Sequence, residues 1–327
     1  MSAVPTTILG GYLGAGKTTL VNGLLRRAGG RRLAVLVNEL GELPIDEDLI
    51  EGREGNLLAI SGGCVCCSYG SDLVAALLDL VARRPLPDHV VVETSGVALP
   101  GAVARSIGLV AGLALDGVVV LADAETIVAR ASDRYLADTI ARQVDAADLL
   151  VLTKLDLLDP AAREARRGWV RARWPAARIA EAVRGDVPAE IILGRVRDDA
   201  QPLAPMDEAP HGPGYARLAL RILAPVRAAE FATALATAEP SLLRAKGFVT
   251  DPGGVVHSVQ VVGRRGEAAP VARPVASRDM VVAIGLPGMS GARIASALRG
   301  LAPVEEVASA SGARWPAAPG AAPRPVA

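Results

Sequence analysis

Short continuous apolar runs open this chain, at residues 5–9, 33–38, 56–60, 89–93, 116–122 and 148–152. Runs of that length without polar alternation predict strands buried on both faces. Between most of them the spacing changes to the helical period, as at residues 72–81 and 160–173. Strands alternating with helices predict an α/β unit around a mostly parallel sheet covered on both sides. Residues 178–185 read as a last strand and its loop. The pattern then breaks. Residues 198–214 carry Pro, Ala and charge with little periodicity, which predicts a linker. Beyond it, residues 215–223 alternate like a half-buried strand, and residues 227–238 read as a helix. Two or three further strands and a helix near residues 290–298 complete a small C-terminal α+β domain. From Trp315 the chain is rich in Pro and Ala, which predicts a disordered tail. The expected organisation is a first domain at 1–197, a linker at 198–214, a second domain at 215–313 and a tail at 314–327.

The turn after the first strand carries chemistry. Gly11-Tyr-Leu-Gly14-Ala15-Gly16-Lys17-Thr18 fits the phosphate-loop pattern of glycine, four residues, glycine, lysine and serine or threonine. A strand precedes it, and residues 19–25 read as the first turns of a helix, which is the context the pattern requires. Its glycines let backbone N–H groups turn inward around phosphate oxygens, and the helix amino end adds positive potential. Lys17 is expected on the β- and γ-phosphates, and Thr18 on Mg²⁺ through its hydroxyl. Thr19 continues the cradle into the helix. The first domain is therefore expected to be a P-loop NTPase.

Two further strand ends supply candidates. The run at 148–152 delivers Thr153-Lys154-Leu155-Asp156, the form of a guanine-specificity loop. The Asp156 carboxylate can accept from the guanine N1–H and N2–H₂ edge, and adenine offers no such donor pair. Thr153 stands where Asn is usual; it can brace the loop but cannot give the same amide contacts. The run at 89–93 ends in Glu93-Thr94-Ser95-Gly96, at the carboxyl edge where open α/β sheets bind ligands. Glu93 is a candidate for holding or orienting the water around Mg²⁺, and the Gly96 N–H for sensing the γ-phosphate. Asp123, after the run at 116–122, is a rival acid that the pattern alone does not separate from Glu93.

All cysteines lie within four residues, at Cys64, Cys66 and Cys67. Thiolates bind zinc, copper(I) and iron, and three in so short a span can converge on one ion. Three is one ligand fewer than a closed tetrahedral zinc cage, so such a site can exchange its metal. A disulfide is disfavoured: the count is odd, and adjacent cysteines bridge only with strain.

Composition adds exclusions. Lys plus Arg is 35 and Asp plus Glu is 35, so no basic excess points to nucleic acid or to a membrane surface. No uncharged stretch is long enough to span a bilayer. The first strand starts within a few residues of Met1, which predicts no signal peptide. The expected location is a reducing cytoplasm, where thiols stay free for metal.

In order and spacing, the glycine loop, Gly63-Cys-Val-Cys-Cys67, Glu93-Thr-Ser-Gly96 and Thr153-Lys-Leu-Asp156 resemble the CobW-type GTPases. These are relatives of the nickel-insertion GTPases for urease and hydrogenase. Val37-Asn38-Glu39-Leu40-Gly41-Glu42 looks like their first switch segment, and Gln143 sits where they have a glutamine. Lys246-Gly247-Phe248 and Val259–Gly263 look like their C-terminal domain. The resemblance implies a slow GTPase using GTP and Mg²⁺, with Glu93 rather than Asp123 on the magnesium side. It implies a divalent metal, zinc above cobalt, iron or nickel, on Cys64, Cys66 and Cys67, with Glu39 and Glu42 as switch or metal-side groups. The implied partners are a client metalloprotein and, in a nucleotide-dependent way, a second copy. The chain departs from many members in having no histidine-rich stretch: its histidines are His89, His211 and His257. His257 is a candidate fourth ligand, although a lone strand histidine is usually structural. Two other readings stay open, a metal-responsive regulatory switch and a small-molecule kinase with incidental thiols.

Overall fold

A computed structural model describes residues 3–28, 31–37, 57–61, 71–194, 214–271 and 278–311. The expectations for Asn38, Glu39, Glu42, Cys64, Cys66, Cys67, His211, residues 198–213 and the tail lie outside the described residues.

The first half builds β1 (Val4–Gly11), α1 (Lys17–Arg26), β2 (Leu33–Val37), β3 (Leu57–Ser61), α2 (Ser71–Ala82) and β4 (His89–Glu93). It continues with α3 (Pro100–Ile107), β5 (Leu113–Asp123), α4 (Ile127–Ser132), α5 (Ala137–Asp145), β6 (Leu149–Thr153), α6 (Pro160–Arg173), β7 (Ile179–Ala182) and α7 (Ala189–Ile192). The seven strands form one sheet in the order β3-β2-β4-β1-β5-β6-β7, with every pairing parallel.

Alternation along each strand explains why the middles of these runs are mostly apolar rather than alternately polar. Ile8, Leu36, Val92, Val120 and Leu152 point to one face, under Leu77 of α2, Val103 of α3, Ile140 of α5 and Val170 of α6. Leu9, Val35, Val91, Val119 and Val151 point to the other, under Leu20 and Leu24 of α1 and Ile191 of α7. Both faces are thus buried, as parallel sheets require. Parallel pairing also brings the carboxyl ends of β1, β4, β5 and β6 to one edge, where their loops meet.

The second half comprises β8 (Ala216–Ile222), α8 (Ala228–Ala238), β9 (Leu242–Thr250), β10 (Val256–Val262), β11 (Arg265–Pro270), β12 (Met280–Gly285), α9 (Gly291–Leu298) and β13 (Val304–Ser311). Its six strands form a sheet in the order β11-β10-β9-β12-β8-β13 with antiparallel pairings. Five strands follow α8, where the sequence suggested two or three. The two edge strands, β11 (Arg-Gly-Glu-Ala-Ala-Pro) and β13 (Val-Glu-Glu-Val-Ala-Ser-Ala-Ser), show no continuous apolar run in sequence. One face of the sheet packs on Phe231 and Leu235 of α8 and on Ile294 and Leu298 of α9.

The two sheets share a buried seam. Tyr215, Leu243, Val262 and Ile284 pack into the α1 side of the first sheet. At its centre Arg244 Nη2 meets Asp116 Oδ2 at 2.5 Å, with both side chains almost fully buried. Gly194 N donates to the same oxygen at 2.9 Å, and Arg265 Nη2 donates to the Asp116 carbonyl at 2.6 Å. Burial pushes the Asp116 pKa up, but Arg244, His89 and the Gly194 N–H outweigh it and hold the carboxyl at about 2. The stability this pair contributes is therefore complete above the ordinary aspartate range and is lost as pH falls from about 4 toward 2. Removing either partner alone would bury an uncompensated charge.

Candidate functional site

The phosphate loop runs between β1 and α1. Gly14 and Gly16 adopt left-handed backbone (φ 74° and 94°), a region open to glycine at little cost. Gly16 is the N-cap of α1 and no side chain caps that helix, so its first N–H groups face the loop. Lys17 folds back over the loop and donates from Nζ to Gly11 O at 3.0 Å. Ala15 N donates to Tyr12 O at 3.0 Å, closing the turn.

Glu93 reaches this loop from the neighbouring strand. β1 and β4 pair with Leu9 opposite Glu93, and Thr94 N donates to Leu9 O at 2.9 Å. That register lays the Glu93 side chain beside the start of α1. Thr18 Oγ1 donates to Glu93 Oε1 at 3.2 Å, and Glu93 is buried. Gly96 then passes against the loop: a Cβ at that position would lie 2.6 Å from Leu13 N and from Leu13 side-chain carbons. Glycine is what permits the contact. Gln143 on α5 fixes the turn from behind, donating from Nε2 to Gly96 O at 3.0 Å and to Ala98 O at 2.8 Å.

The two rival acids sit in different places. Asp123 Oδ2 receives Lys154 Nζ at 2.9 Å, and its Oδ1 accepts Glu125 N at 2.9 Å. It is bound to the Thr153–Asp156 loop, whereas Glu93 is bound to Thr18. Thr153 Oγ1 donates to Ala15 O at 2.9 Å, tying that loop to the phosphate loop, and Lys154 takes a left-handed turn (φ 59°). Asp156 is half-buried in the short 3₁₀ turn Leu155–Leu157. With Gly16, Thr19, Thr153, Lys154, Leu157, Arg184 and Gly185 it lines an open cleft of about 210 Å³ beside the start of α1.

The loop ending residues 178–185, which the family resemblance puts beside the base, lines the cleft, whereas Arg27 and Arg130 carry no sequence signal. Arg184 and Gly185 close the far wall of the cleft with left-handed backbone (φ 51° and 73°). Arg27, the C-cap of α1, secures that wall, pairing with Asp186 at 2.8 Å and donating to Gly185 O at 3.0 Å. Arg130 on α4 donates from Nη1 to Leu13 O at 2.8 Å. No local pattern marks the two arginines, because each joins segments far apart in the chain. His257 lies elsewhere, on β10, with Nε2 at 2.9 Å from Asp251 Oδ2. Among the described residues no three or more His, Cys, Asp and Glu side chains cluster so as to hold a metal ion. Among them, too, no helix is long and apolar enough to cross a membrane.

The family model for the CobW/HypB/UreG nucleotide-binding domain matches residues 5–181. The model for the cobalamin synthesis protein cobW C-terminal domain matches residues 215–302. The zinc chaperone CobW of a Sinorhizobium species is 32% identical over 220 residues, which cover 58% of this chain and 62% of that protein. The zinc chaperone YjiA of Escherichia coli is 36% identical over 185 residues, covering 54% and 57%. The zinc-regulated GTPase metalloprotein activator 1 of Schizosaccharomyces pombe is 36% identical over 168 residues, covering 48% and 40%. The chain thus spans less than two thirds of the length of each of these relatives. The nucleotide-binding match takes in more than half of the chain, from the strand before the phosphate loop to the strand beyond Asp156, and the chain belongs to the CobW/HypB/UreG family.

Proposed function

We propose that this P-loop GTPase is a zinc metallochaperone. GTP binding and hydrolysis at the β1–α1 loop control a zinc ion carried by Cys64, Cys66 and Cys67, for delivery to a client metalloprotein. Cobalt, iron and nickel are the alternative cargoes for a thiolate set. Its other partner is a second copy in the GTP state, and a reducing compartment such as the cytoplasm keeps its thiols free.

One observation carries the reading: the phosphate loop and the Glu93–Gly96 turn touch directly, through Thr18 with Glu93 and Leu13 with Gly96. A γ-phosphate arriving between them has to move or lock that turn. The turn ends β4, and β2 and β3 pair beside it, with their carboxyl ends on the same edge. In the sequence Cys64 follows three residues after Ser61, the end of β3. A shift of the turn can thereby bias the thiolates, and linkage requires metal to bias GTP by the same factor. The relatives named as zinc chaperones support zinc as the favoured cargo.

Guanine selection falls to Asp156, in the cleft beside Gly16 and Thr19. Mg²⁺ would be held by Thr18 and Glu93. Their oxygens stand 3.2 Å apart, close to the spacing of about 3 Å between adjacent ligands of an octahedral ion with bonds of about 2.1 Å. When bound, the ion neutralises charge on the phosphates. Lys17 adds its own charge on the β/γ side, Glu93 orients water near the ion, and the Gly96 N–H meets the γ-phosphate.

Glu93→Gln tests this assignment. It keeps the shape and the Thr18 contact but removes the charge that orients the ion. GTP hydrolysis should fall about 10- to 100-fold, with GDP affinity nearly retained. Phosphate release at saturating GTP, beside a GDP titration, reads both. Wild-type hydrolysis in the variant would defeat the role given to Glu93.

A further inference from the structure

We propose that Arg130 is a positioning residue for GTP hydrolysis, acting through the Leu13–Gly14 peptide of the phosphate loop. The proposal rests on the GTPase reading of that loop and extends it to a side chain outside every motif.

The geometry is specific. Arg130 Nη1 donates to Leu13 O at 2.8 Å, and its guanidinium stacks over the Tyr12 ring at 4.9 Å from the centroid. Two successive loop residues are thus held by one planar cation. The Leu13–Gly14 peptide is trans, so its C=O and N–H point in opposite directions. Holding the Leu13 carbonyl outward on Arg130 turns the Gly14 N–H the other way, into the concave side of the loop. A charged donor on the carbonyl also polarises the peptide and strengthens its N–H as a donor. That N–H belongs to the stretch packed on Gly96, the side where the γ-phosphate and the bond to be broken would lie. A donor fixed at developing charge accelerates the chemical step more than it tightens ground-state binding.

Arg130 has a firm base from which to do this. Its helix follows Asp123, which is bound by Lys154, and Ala124 N donates to Thr153 O at 2.9 Å. The guanine-loop anchor and the Leu13 clamp are therefore one construction.

The test uses the full-length protein with GTP. Arg130→Ala should lower kcat about tenfold while changing GDP affinity less than about threefold and leaving the melting temperature in place. Arg130→Lys, which keeps a charged donor, should recover part of the loss, and added guanidinium should partly rescue the alanine variant. Wild-type kcat in Arg130→Ala would overturn the proposal. So would a parallel loss of kcat, GDP affinity and melting temperature without recovery by lysine or guanidinium, which marks a merely structural contact. A wild-type protein that neither binds nor hydrolyses GTP would remove the parent reading and this one with it; an active wild type beside an unaffected variant removes this one alone.

Discussion

Replacing Cys64, Cys66 and Cys67 together by serine is expected to weaken zinc binding by at least about 10³-fold, an energy of about 4 kcal/mol. Zinc sites in proteins draw much of their affinity from deprotonated sulfur at about 2.3 Å. A serine hydroxyl stays protonated near neutral pH and offers a hard, neutral oxygen in place of a thiolate. The described residues provide no alternative cluster of His, Cys, Asp and Glu to take over. Competition with a chromogenic chelator under reducing conditions measures the loss, and the unfolding transition shows whether the fold is kept. Equal zinc affinity in the variant and the wild type would remove the cysteines from the account.

Asp156→Asn should weaken GTP binding on the order of 10²- to 10³-fold and leave the weak binding of ATP almost unchanged. The carboxylate is half-buried in a cleft whose walls are fixed from three sides: Thr153 on Ala15 O, Lys154 on Asp123, and Arg27 on Asp186 and Gly185 O. Such a wall cannot retreat from a mismatch. Guanine presents two donors there, and an asparagine amide answers one of them with a donor of its own. Xanthine carries a carbonyl where guanine has the amine, so the variant should gain in relative affinity for XTP. Displacement of a fluorescent GDP by each triphosphate gives the ranking. A variant with wild-type preference for GTP over ATP would locate base recognition elsewhere.

The first sheet was legible because parallel strands covered on both faces carry near-continuous apolar cores, as residues 90–92 and 149–152 do. The phosphate loop was legible because glycine backbone, a lysine and a hydroxyl have to follow one another in the chain. Pattern alone did not separate Glu93 from Asp123; the family resemblance favoured Glu93, and the fold gives a physical reason. Both are strand-end acids, and only the register of β4 on β1 places one beside Thr18, while Lys154 takes the other. Gln143 came only from resemblance, since its two bonds reach back 47 and 45 residues to Gly96 and Ala98. Arg130 and the Arg27–Asp186 pair gave no signal, because a single arginine on a helix has no pattern. The number of C-terminal strands was not legible, because β11 and β13 read as mixed polar and small residues rather than as apolar runs.

Coupling between nucleotide state and metal is the core of the proposed cycle. Zinc affinity of the wild-type protein, measured once with a non-hydrolysable GTP analogue and Mg²⁺ and once with GDP and Mg²⁺, tests it most directly. Coupled sites give zinc affinities that differ by about fivefold or more, with zinc shifting the analogue's affinity by the same factor. Zinc affinities that coincide in the two nucleotide states would contradict it.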